Sequence, residues 1–102
     1  MAGSVVYEVE GVRVRHSHLD PGKEIPWHRH SDIVDMFYII RGPVTIETRE
    51  PDQQIELLTG ESFRAAVAQP HRVSNRTHAR VEFLLIQGVG KYDFQPITPT
   101  RT

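Results

Sequence analysis

The chain has 102 residues, with 12 Lys plus Arg against 13 Asp plus Glu, six histidines and no cysteine. That length holds one hydrophobic core, and a formal charge of -1 argues against a general nucleic-acid-binding surface. The missing cysteine excludes disulfides, thiol nucleophiles, Cys-ligated zinc and iron–sulfur clusters.

Leu, Ile, Val and Phe total 28, above the level of a disordered chain. Val plus Ile number 19 against 10 for Ala plus Leu, which favours strands over helices. The first residues lack the basic and apolar regions of a signal peptide. The apolar runs are too short to span a bilayer, so a soluble cytoplasmic protein is expected.

In chain order the β-like runs are Val12–His18, Ile25–His30, Asp35–Ile40, Val44–Arg49, Gln54–Leu57, Ser62–Val67, His71–Asn75 and Val81–Gln87, with Val5–Val9 as a candidate first strand. Turn residues separate them at Asp20-Pro21-Gly22, Arg41-Gly42-Pro43, Glu50-Pro51-Asp52 and Thr59-Gly60. Ser31 to Ile40 also fits a helix capped by Ser31. Its aromatic and β-branched content and the Arg-Gly-Pro that ends it favour a strand. Spacing and composition predict an all-β sandwich or barrel. Met36–Ile40 and Phe83–Ile86 are apolar on both faces, which calls for a second cover. The barrel interior and a partner subunit in a homodimer are the expected covers, with a second layer of the same domain as the alternative.

The histidines carry the chemistry. His28 and His30 are two residues apart, so on a strand both imidazoles leave one face about 7 Å apart. His71 opens a later strand, and Asp35 lies five residues past His30. Three imidazoles and a carboxylate suit a divalent first-row metal and leave coordination positions open. A His-x-His pair alone is more often surface polar sequence, so the case rests on context.

The segment from Gly22 through His28, His30 and Asp35 to Gly42 resembles the first motif of the cupin superfamily, with Asp35 in the place of Glu. Gly60, His71 and Asn75 match the second motif at its spacing, while Ala66 and Ala68 stand where the motif has Pro and Gly. Seventeen residues separate Gly42 from Gly60, as in a small single-domain cupin.

The resemblance implies a small antiparallel jelly-roll β-barrel of six to ten strands, one domain over residues 1–102, with the barrel core over about 5–95 and a tail over 96–102. It implies His28, His30, Asp35 and His71 as ligands of one Fe, Mn, Ni, Cu or Zn ion per chain. Asp is one methylene shorter than Glu, so Asp35 reaches such an ion only if its strand sits closer, or acts through water. Ala66 and Ala68 put the course of the loop before His71 in question, with Gln69-Pro70 as an alternative source of rigidity.

Other residues have two readings. Trp27 and Phe37 are candidates to line a pocket or to pack in the core. If Val12, Val14, His16 and His18 face inward, His16 or His18 could contact substrate, and Arg13 and Arg15 are exterior charges. His78 reads as an exposed turn, Asn75 as a turn residue, and Gly22, Gly42 and Gly60 as turn glycines. Tyr92 and Phe94 could cover a barrel mouth or pack against a partner, and packing is preferred.

The leading functional expectation is a metal-dependent cupin acting on a small organic substrate, with dioxygenase-like oxidoreductase chemistry. The alternatives are a non-catalytic metal- or small-ligand-binding module and a metal-independent isomerase. The partners expected are a small molecule and a second copy of the chain, with neither nucleic acid nor membrane.

Overall fold

The computed structural model describes residues 2–88 and 94–97. Ten strands run in the order β1 (Ala2–Val9), β2 (Val12–Leu19), β3 (Glu24–Arg29), β4 (Val34–Arg41), β5 (Val44–Thr48), β6 (Gln53–Leu57), β7 (Ser62–Ala65), β8 (His71–Ser74), β9 (Val81–Gly88) and β10 (Gln95–Pro96). They form two five-stranded sheets, β1-β2-β9-β4-β7 and β10-β3-β8-β5-β6, antiparallel throughout. This is the all-β arrangement expected from the strand spacing, in the jelly-roll form that the motif resemblance implies.

Period-two alternation decides what goes inside. Along β9, Val81, Phe83, Leu85 and Gln87 are buried while the residues between them are half-buried. Phe37 and Ile39 of β4 and Ile46 and Val73 of the facing sheet are fully buried, and with Phe83, Leu19 and Val44 they join the two sheets into one core. Burying each such side chain favours folding by about 1.5–3 kcal/mol. No helix occurs among the described residues, so the Ser31–Ile40 ambiguity resolves as strand β4.

The turns behave as glycine and proline chemistry predicts, with one exception. Gly22 and Gly60 adopt φ of 78° and 88°, conformations that a Cβ disfavours. Gly42 is needed for a different reason, since a Cβ there would meet the Leu57 carbonyl oxygen at 2.9 Å. The last described strand takes in Pro96, the first residue of the expected tail, and residues 98–102 lie outside the described residues. Gln95 and Pro96 pair with Arg29 and His28 and form an edge strand beside β3. Tyr92 and the segment Val89–Lys91 lie outside the described residues.

The structure decides the phase of β2 against the inward reading of His16 and His18. Its inward residues are Arg13, Arg15 and Ser17, and His16 and His18 lie on the outer face. Arg15 pairs with Leu85, which pairs with Phe37, so all three share the inner side. His16 pairs with Leu84 and thence Tyr38, on the outer side. The outer face of this sheet is itself apolar, so Val12 and Val14 find apolar neighbours there.

Candidate metal centre

Both sheets contribute to the centre. His28 on β3 and His71 at the start of β8 are register partners. His30 follows β3 on the same face, while Asp35 comes across from β4 in the other sheet. A register shift between Ile25 and His28 marks a bulge. Pro26, which has no N–H to donate to a ladder, sits within that irregularity, where proline is tolerated.

The four side chains are buried, and one ligand atom from each lies within 4.8 Å of the others. Asp35 Oδ2 is 2.8 Å from His30 Nε2, 2.9 Å from His71 Nε2 and 3.8 Å from His28 Nε2. The shorter Asp side chain therefore does reach the histidine cluster.

The other ring nitrogens determine what this cluster can hold. His28 Nδ1 lies 2.8 Å from the Pro26 carbonyl and His71 Nδ1 lies 2.9 Å from the Gln69 carbonyl. A carbonyl only accepts, so both Nδ1 atoms carry a proton, which leaves the Nε2 of each ring as the atom turned toward Asp35. Lone pairs facing a carboxylate oxygen repel unless a cation or an added proton lies between them. Ligand atoms about 2.1 Å from one ion at right angles stand about 3 Å apart, close to the two short separations here. The donor set therefore fits a divalent first-row metal, and the carbonyl-held Nδ1–H groups are the usual supports of metal-bound histidine.

Burial would push the Asp35 carboxyl up, but with a proton on the Nε2 atoms the hydrogen bonds from His28, His30 and His71 outweigh it and hold the group well below the ordinary carboxylate range. Asp35 is thus kept as an anion in a buried place, as a ligand must be.

Gln87 was not singled out in the sequence. Its side-chain Nε2 donates to Asp35 Oδ1 at 3.1 Å, and the two residues are cross-strand partners. The available signal was a polar residue ending the buried series of β9. Only register places it opposite Asp35.

Beside the centre lies a cavity of about 170 Å³, whose wall includes Asp35, Phe37, Arg15, Gln87 and Phe94. Phe37 thus lines the pocket. Trp27 does not: it faces the outer side, where the Arg49 and Arg72 guanidinium groups lie 4.3 and 5.5 Å from its ring. Phe94 stacks on His28 with ring centroids 4.4 Å apart and an interplanar angle of 17°. Of its two sequence readings, covering the mouth is the one its position matches. Asp32 and His78 are exposed and do not belong to the four-residue cluster.

The second motif has a structural use as well. Asn75 is buried, donates Nδ2 to the carbonyls of Leu19 and Ala79, and accepts from the Thr77 backbone N–H and hydroxyl. Ala68, in a glycine place, adopts φ of 62° and donates its N–H to the His30 carbonyl. The loop before His71 therefore keeps a left-handed residue at this position without the glycine. Gln69 braces it, accepting from the Ala66 N–H and donating to the Arg49 carbonyl.

Comparison with known proteins gives a consistent result. The family model for the cupin domain matches residues 15–87. Auxin-binding protein 1 of Arabidopsis thaliana is 28% identical over 93 residues, 84% of this chain and 46% of that protein, so the chain spans about half the length of this curated relative. A conserved protein with a double-stranded β-helix domain from Klebsiella pneumoniae superposes with a TM-score of 0.76 at 24% identity, covering 91% of this chain and 80% of that one. An oxalate oxidase superposes with a TM-score of 0.78 at 14% identity, covering 86% and 47%. These superpositions show the fold.

Proposed function

The chain belongs to the cupin family, and from that premise we propose that it is a metal-dependent enzyme acting on a small organic substrate, with dioxygenase-like oxidoreductase chemistry. His28, His30, Asp35 and His71 would hold one divalent iron, manganese, nickel, copper or zinc ion. The observation that carries this reading is the convergence of three Nε2 atoms on Asp35 Oδ2, with two of the rings fixed by main-chain acceptors. The oxalate oxidase among the structural neighbours supports the choice of reaction class.

A bound ion would supply Lewis acidity and, if redox-active, electrons for dioxygen chemistry. The chain's own residues do the rest. Asp35 offsets half of a divalent charge and Gln87 holds its carboxylate in place. Phe37 and Phe94 give the cavity apolar walls that limit water beside the centre.

Elemental analysis of untagged protein purified without chelator or added metal tests the reading. About one ion per chain is expected, and a redox-active element should be accompanied by oxygen consumption with the right substrate. His71→Ala should lose the ion. A chain that neither carries nor takes up metal would overturn this reading in favour of a metal-free isomerase or a binding module.

A further inference from the structure

We propose that the substrate is a small carboxylate, gripped by Arg15 on the cavity wall beside the candidate metal centre. This inference rests on the metal-dependent reading above and specifies its substrate class. Arg15 reaches the cavity from β2, on the inner side of its sheet with Leu85 and Phe37. Its Nε is buried with no hydrogen-bond partner, and no carboxylate lies within ion-pair distance of it among the described residues.

A guanidinium stays charged at every working pH, so an unpartnered buried N–H on it is costly. A bound anion provides the acceptor that Arg15 Nε lacks among the described residues. The charge of the cavity points the same way. A divalent ion on three neutral imidazoles and one carboxylate would leave one net positive charge, and Arg15 adds a second.

The remaining wall selects among anions. Ile25, Phe37, Leu85 and Phe94 are apolar, and Arg15 is the only Lys or Arg lining the cavity among the described residues. A carboxylate meets a guanidinium through two parallel hydrogen bonds, whereas a phosphate would leave further oxygens facing hydrocarbon. Gln87 adds a second requirement. Its Nε2 is committed to Asp35, and its buried Oε1 lacks a partner among the described residues. A hydroxyl on the carboxylate's body would donate to that oxygen, which favours hydroxy acids.

Calorimetric titration tests this on protein whose metal content is measured in the same sample. The probes are lactate and longer 2-hydroxy acids, propionate, lactamide and inorganic phosphate. At least one hydroxy acid should bind, propionate should be weaker than lactate, and uncharged lactamide should show no binding. Arg15→Gln should weaken the hydroxy acid about 10- to 100-fold with metal content unchanged. Arg15→Lys, which keeps the charge without the fork, should fall between. Arg15→Met should raise the thermal midpoint of the ligand-free protein, because it removes an unsatisfied buried donor.

Wild-type affinity in Arg15→Gln, equal binding of lactate and lactamide, tighter binding of phosphate, or no binding of any hydroxy acid would overturn the proposal. Failure of the metal reading shows separately, as absence of the ion. The same titration then applies to the metal-free chain, where a preference for lactate over lactamide that Arg15→Gln abolishes supports the role of Arg15 and its absence refutes it.

Discussion

Gln87 Nε2 donates to Asp35 Oδ1, while Asp35 Oδ2 faces the three imidazoles. The carboxylate is thereby divided, with one oxygen held by the protein and the other turned toward the centre. Gln87→Leu removes the hold without removing a ligand. Metal affinity should fall about 10- to 100-fold in a competition titration against a chromophoric chelator, and less than in His71→Ala. Unchanged affinity would make Gln87 a bystander.

Ala68 occupies a left-handed conformation that L side chains other than Asn and Asp seldom adopt. Relief of that strain should exceed the added freedom of a glycine in the unfolded chain. Ala68→Gly is therefore expected to stabilise the protein by about 0.5–1 kcal/mol. Urea unfolding with an unchanged slope would measure it, and a destabilised variant would refute the strain argument.

Asn75 uses its whole amide. Replacement by alanine leaves the buried Leu19 carbonyl without this donor, takes one of two donors from the Ala79 carbonyl and frees the Thr77 turn. A loss of about 1–3 kcal/mol is expected in chemical unfolding. Metal content of the folded fraction should be unchanged, which separates this role from that of His71.

The outer face of the β1-β2-β9-β4-β7 sheet carries an apolar row, Tyr7, Val14, Ile86 and Met36, linked strand to strand by register pairs. Tyr38 and Leu84 adjoin it, and Tyr38 is 44% exposed. Continuous apolar surface across four strands suits a second copy of the same face related by a twofold axis. Light scattering should give twice the chain mass, and Tyr38→Glu with Met36→Glu should shift it toward one. A wild-type monomer at micromolar concentration would contradict the expectation.

Much of this architecture was legible in the chain. His28, His30, Asp35 and His71 are spaced so that strand geometry alone aligns the first two, and the motif spacing brings in the others. The strand positions followed from Val and Ile runs between turn residues. What the chain left open was phase and register. In β2 the apolar Val12 and Val14 alternate with Arg13 and Arg15, and apolar residues usually mark the inside. Here the inner wall of a cavity is polar and the outer face of the sheet is not, so the alternation points the wrong way. Gln87 escaped, and the choice between the two readings of Phe94 went to packing, for a related reason. Each meets its partner across more than fifty residues, 52 for Gln87 and Asp35, and no local pattern encodes such a pairing.

The imidazoles of His28 and His71 take their orientation from carbonyl groups two residues behind them. A carbonyl is present whatever amino acid supplies it, so the aim of these rings is inherited from the path of the chain and not from the side chains of Pro26 and Gln69. The cavity wall is different, because Arg15, Phe37 and Phe94 act through what their side chains are. Selectivity can thus drift by point mutation while the aim of the rings persists. Saturation of position 15 should yield variants that retain the ion and differ in the anions they accept.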